Sequence, residues 1–144
     1  MRHIISILGG LALALSLPLA RAADAPATAS PPTAAQPAKG AKNIGVAEFE
    51  KLRADKKNVV LDVRTASEYA AGHIPGAVNI DFNSPDFEKK VAALPKDKTY
   101  LVQCAVGGRS ARACKKMTTL DFDHLYNLQG GIEAWEKAGN RPAK

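Results

Sequence analysis

From Asn43 onward, short apolar runs alternate with stretches in which apolar residues recur at helical spacing. The runs Val59 to Val63, Val78 to Ile80, Tyr100 to Gln103 and His124 to Leu128 predict strands, and Ile44 starts a short edge strand. Between them, Val46 to Ala54 places Val46, Phe49 and Leu52 on one face of a helix. A short turn is expected at Ser67 to Ala71, and further helices at Asp86 to Leu94, Gly108 to Leu120 and Gly131 to Ala138, the last stopped by Gly139. Strand and helix in alternation are the mark of βαβ units, so the expected class is α/β, with a mainly parallel central sheet of four or five strands covered by helices. About 100 residues suffice for one such core.

The first 42 residues do not share this pattern. Arg2, the apolar run Ile4 to Leu19 and the small-residue site Ala20-Arg21-Ala22 form a secretory signal over residues 1–22, with cleavage expected before Ala23. The run is short for a bilayer span and contains Gly9, Gly10 and Pro18, so no stable membrane insertion is expected after cleavage. Residues 23–42 are Ala, Pro, Ser and Thr with no large apolar side chain and read as a disordered tether. A single domain over residues 43–144, periplasmic or secreted, follows.

Charge narrows the functional classes. The 144-residue chain carries a formal net charge of +6; without Arg2 and Arg21 it becomes +4, with no long Lys/Arg run or aromatic-basic stripe. Nucleic acid is therefore not an expected partner, whereas small anions suit a mild positive bias. Neither of the 2 cysteines stands in a C-x-x-C, and only His73 and His124 lie beyond the signal, so no metal and no cofactor is expected. With a helix starting near Gly108, Cys114 lies about 9 Å along its axis, too far for a normal bridge to Cys104. Cys114 shares a helical face with Ala111 and Met117 and reads as core.

Cys104 is different. In Thr99 to Met117, TYLVQCAVGGRSARACKKM, an apolar strand ends at Cys104 and a helix begins a few residues later. A tight loop between them, Ala105, Val106, Gly107, Gly108 and Arg109 leading into Ser110, can turn successive N–H groups into one concavity, with the helix N-terminus adding positive potential. A sulfur at its centre is expected to be a thiolate and a nucleophile, and the same amides suit the anionic persulfide formed when it accepts a second sulfur. Arg109 is read as a substrate-binding cation, pairing with Asp62 or Glu68 being the alternative. Ser110 favours the helix start, while Arg112, Lys115 and Lys116 form a solvated face.

Three segments then resemble the rhodanese family: LDVRTASEYAAGHIPGAVN from Leu61 to Asn79, CAVGGRS from Cys104 to Ser110, and YNLQGGIEAW from Tyr126 to Trp135. Signal and single domain together resemble the small periplasmic, phage-shock-type members. The resemblance implies a five-stranded parallel sheet with helices on both faces, and sulfurtransfer through a Cys104 persulfide. It further implies thiosulfate or a persulfide as donor, a thiol or cyanide as acceptor, and a cradle of the amides of Ala105 through Ser110. The loop from Cys104 to Arg109 has the six-residue length suited to sulfur, one shorter than in phosphatases of the same fold. Ala105 departs from the Arg, Lys or Gln of many relatives, which bears on thiosulfate affinity. Asp62 and Arg64 are read as structural partners, His73 to Gly76 as a rigid turn, Gly130 and Gly131 as a tight turn and Trp135 as core. Competing readings are a non-catalytic docking or sulfur-carrier module, a Cys104–Cys114 redox pair, and phosphatase or arsenate reductase chemistry.

Overall fold

The computed structural model describes residues 40–144; the signal and residues 23–39 of the stretch read as a tether lie outside them. Five strands, β1 (Lys42–Ile44), β2 (Val59–Asp62), β3 (Val78–Asn79), β4 (Tyr100–Gln103) and β5 (Leu125–Leu128), alternate with five helices. These are α1 (Val46–Arg53), α2 (Ala66–Ala71), α3 (Phe87–Ala92), α4 (Gly108–Thr119) and α5 (Gly131–Lys137). All five strands are parallel, in the order β1-β5-β4-β2-β3. β1 begins at Lys42, the last residue of the stretch read as a tether.

Alternation along the strands feeds two cores. Leu61, Val63, Tyr100, Val102 and Cys104 pack with Phe87 of α3 and with Ala113, Cys114 and Met117 of α4. Val60, Leu101 and Leu128 pack on the opposite face with Phe49 of α1 and with Ile132 and Trp135 of α5. Helices thus cover both faces, as a parallel sheet requires. The buried stripe of α4 runs Ser110, Ala113, Cys114, Met117, and Ala111 is exposed, so the face assigned to Cys114 from spacings of three is rotated by part of a turn. Cys114 is core, as expected, and both cysteines are free.

The short turn expected among the helices at Ser67 to Ala71 is a helix of 6 residues beginning at Ala66. Thr65 caps it: its side chain accepts from the Glu68 N–H while the Glu68 carboxylate accepts from the Thr65 N–H, satisfying two donors that a helix start otherwise leaves unpaired. Just before it, the wholly buried Asp62 receives the Arg64 guanidinium at 2.7 Å and the Arg64 backbone N–H at 2.9 Å. The same guanidinium donates to the Gly72 carbonyl, so the pair ties the end of β2 to the end of α2. The chain after Gly72 is held by reciprocal backbone bonds between His73 and Ala143.

Strand order decides where the loops open. β4 leads through α4 to β5 on one side, and β2 leads through α2 to β3 on the other, so the loops leaving β4 and β2 diverge from adjacent strand ends. In open parallel sheets that divergence makes a crevice at the carboxyl edge. Cys104 follows β4 at this point. The loop after it is backed by α5, whose N–H groups at Ile132 and Glu133 donate to the carbonyls of Cys104 (2.8 Å) and Ala105 (3.2 Å). That approach is close enough that a Cβ on Gly131, itself at φ +58°, would stand 2.2 Å from the Cys104 carbonyl oxygen.

Two stability outcomes follow. Gly131→Ala, forced into both a left-handed backbone and a carbonyl oxygen, is expected to lose about 3 kcal/mol or more in urea unfolding; a loss below about 1 kcal/mol would show that the α5 turn does not press on the loop. Asp62→Ala leaves the buried Arg64 charge uncompensated and is expected to cost about 3–5 kcal/mol. An unchanged unfolding midpoint in that variant would show that the pair does not hold the β2 end.

Candidate active site

Each peptide unit is planar and trans, so a carbonyl and the N–H that follows it point in opposite directions. With the carbonyls of Cys104 and Ala105 engaged by α5, the N–H groups of Ala105 and Val106 are turned away from α5, into the loop. Gly107, at φ +96°, reverses the chain there and starts α4. A side chain on Gly107 would also crowd the Leu128 carbonyl and the Gly130 N–H. The result is a loop wound around one atom. Cys104 Sγ accepts the Gly107 N–H at 3.1 Å and lies 3.4 Å from the Ser110 hydroxyl, which is also 3.1 Å from the Gly107 carbonyl.

The electrostatics follow from this geometry. Cys104 is 1% exposed, and burial alone raises a thiol pKa. The Ser110 hydroxyl and the N–H groups of Ser110, Gly107 and Val106 outweigh that effect and hold Cys104 below the ordinary thiol range. Cys114, in the same core with only its own backbone N–H to oppose the effect, goes the other way: burial, then the charge of Cys104, pushes it up to about 12. The donors therefore favour the thiolate of Cys104, while Cys114 stays a thiol.

The two terminal nitrogens of Arg109 donate to both carboxylate oxygens of Glu68, at 2.7 and 2.6 Å. This is the pairing given as the alternative for Arg109. A planar guanidinium facing a carboxylate across the crevice forms two parallel charge-assisted bonds, which no single approaching anion displaces easily. The Arg109 hydrogen bonds, opposed by burial and helped by the Thr65 N–H, bring the Glu68 carboxyl down to about 2. Through Glu68 the pair joins the start of α2 to the start of α4, closing one side of the crevice.

The other expected members lie along the same loop. Ala105 is half-buried, Val106 is 60% exposed at the rim, and Gly107 is buried beside the sulfur. Gly108 is the first residue of α4, and Ser110, expected to give the helix start and a cradle amide, supplies its hydroxyl as well. His73 takes no part in the loop: its ring stacks on Tyr69 at 3.9 Å and its Nδ1 lies 3.1 Å from the Tyr69 carbonyl. Trp135 is core, with its indole N–H on Glu50. Gly131 was missed as a contributor to the site, and Glu68 was named only as one of two possible partners of Arg109; both lie within motifs visible in the sequence, but what they touch is set by distant segments. Among the described residues no group of three or more His, Cys, Asp or Glu side chains could hold a metal ion.

Such a cradle can stabilise a negative sulfur before and after it gains a second atom. A model of the rhodanese-like domain family matches residues 45–138. "Protein HIGH ARSENIC CONTENT 1, mitochondrial" of Arabidopsis thaliana is 39% identical over 89 residues, which are 55% of this chain and 53% of that protein. "Putative sulfurtransferase YtwF" of Bacillus subtilis is 40% identical over 96 residues, 66% of this chain and 90% of that one. Among solved structures, a rhodanese-related protein of Thermoplasma volcanium superposes with a TM-score of 0.63 at 31% identity, over 71% of this chain and 97% of that one. In sequence, in strand order and in the loop wound around Cys104, this chain belongs to the rhodanese family.

Proposed function

We propose that this chain is a rhodanese-type sulfurtransferase in which Cys104 takes a sulfane sulfur from thiosulfate or a persulfide and passes it to a thiol or cyanide. Family membership and relatives bearing sulfurtransferase names support the general activity. The observation that carries the assignment of Cys104 is its Sγ inside a ring of N–H donors with the Ser110 hydroxyl beside it. In the first half-reaction the thiolate attacks the outer sulfur of the donor, the donor S–S bond breaks, and sulfite or a thiolate leaves with the electron pair. In the second, the acceptor attacks the outer sulfur of the Cys104 persulfide and the Cys104 thiolate is restored. Both resting states are anions in one cradle, so the amides need no rearrangement between them. The donors that lower the Cys104 pKa favour the thiolate, which lessens the need for a general base. The signal-like pattern over residues 1–22 supports a periplasmic or secreted location, and N-terminal sequencing of the protein recovered from the cell envelope tests it.

Mass spectrometry of the native protein after donor treatment is expected to show one added sulfur atom on Cys104, absent from Cys104→Ser. Failure of every sulfane donor to add mass to the wild type would overturn the assignment. Native alkylation by iodoacetamide near neutral pH is expected at Cys104 only, with Cys114 modified after unfolding.

The pH dependence has a definite sign. The reactive form is the thiolate, so alkylation slows as pH falls through the lowered pKa of Cys104. Ser110→Ala removes a donor to the anion, moving the acid limb to higher pH and slowing the reaction several-fold at neutral pH. An unshifted profile would remove Ser110 from the cradle.

A further inference from the structure

We propose that the preferred sulfur donor of this site is an organic persulfide, R–S–SH, whose body is apolar or carries no net negative charge, rather than the thiosulfate dianion. This rests on the sulfurtransferase reading and specifies its substrate class.

The first observation is the charge balance around Cys104. Arg109 is the only cation in the loop from Cys104 to Arg109, and both its terminal nitrogens are taken by Glu68 at 2.6 and 2.7 Å. After Glu68, the charges of Cys104 and then Asp81 also act on Arg109, so the one guanidinium is shared among three negative groups. The next cation along α4, Arg112, lies 5.3 Å over the Phe82 ring. What remains to meet an incoming donor is a set of amide dipoles and one hydroxyl, already occupied with a single negative sulfur. Thiosulfate would gather three negative charges at this point, two of its own and that of the thiolate, with no unpaired cation in the loop. A protonated persulfide gathers one.

The second observation is independent of charge. Val106 is 60% exposed, one of two large apolar side chains so exposed among the described residues, and it stands at the rim of the cradle next to the half-buried Ala105. An apolar rim offers nothing to a sulfonate group and a dry contact to a carbon body.

In the transfer, Cys104 Sγ attacks the terminal sulfur of R–S–SH. The S–S bond breaks, its electron pair departs on R–S⁻, and that leaving thiolate takes the proton of the transferred sulfur, giving R–SH and the Cys104–S–S⁻ anion. The sulfur atom moves without any external oxidant or reductant.

The test is anaerobic single-turnover loading of the mature protein, followed by mass spectrometry, with thiosulfate, cysteine persulfide and benzyl persulfide as donors. Each rate constant is normalised to the reaction of the same donor with free cysteine at the same pH. Both persulfides are expected to load at least about tenfold faster than thiosulfate, benzyl persulfide fastest. Val106→Lys, at an exposed position, is expected to move the ratio of persulfide to thiosulfate about tenfold toward thiosulfate. Glu68→Gln, which releases the Arg109 charge, is expected to raise the thiosulfate constant, whereas a purely structural Glu68 would lower loading by all three donors alike. Thiosulfate loading as fast as the persulfides, or an unchanged ratio in Val106→Lys, would overturn the proposal while leaving the sulfurtransferase reading intact. Loading by none of the three would overturn both.

Discussion

Everything at this site depends on two carbonyl groups being held away from it. The first N–H donors of α5 take the carbonyls of Cys104 and Ala105, and the rigidity of the peptide unit then aims the following amides inward. Those α5 amides are also the ones a helix start leaves without partners, so the same bonds satisfy the helix and shape the loop. The requirement for Gly131 is the visible cost of this arrangement, since α5 can reach the carbonyls only if nothing projects from its first residue.

With backbone supplying the anion stabilisation, the guanidinium is free for another task. Arg109 and Glu68 link two helix starts on either side of the crevice, and the Thr65 capping box holds Glu68 in position. A buried Asp62–Arg64 pair underpins the neighbouring strand end. The crevice wall is therefore built from two ion pairs that are electrically near neutral, while the nucleophile is served by dipoles.

Much of this was legible in the sequence because it is local. Strand β4 and the start of α4 could be placed to the residue, since an apolar run, a cysteine and two glycines leave few alternatives there. The parallel order and the two-faced core follow from alternating strand and helix patterns. What could not be read depends on contacts between remote segments. The sequence offers both Asp62 and Glu68 as partners of Arg109 but cannot choose between them, since the chosen one lies 41 positions earlier, and Gly131 looked like an ordinary turn residue because the carbonyl it must clear belongs to Cys104, just after β4. Ala111 was placed in the core by a count of three from Cys114, although the helical stripe through Ser110, Ala113 and Met117 leaves it in solvent. The Ser110 hydroxyl was missed for a related reason, because a serine at a helix start already has an adequate local explanation.

That hydroxyl has a single proton and two acceptors within reach, the Gly107 carbonyl at 3.1 Å and the Cys104 sulfur at 3.4 Å. When the sulfur is negative the proton swings to it; when the charge is spent in forming a bond, the carbonyl offers it a resting place. The hydroxyl can thus follow the charge on the sulfur by rotation about one C–O bond, a rotor with two stops in an otherwise fixed frame.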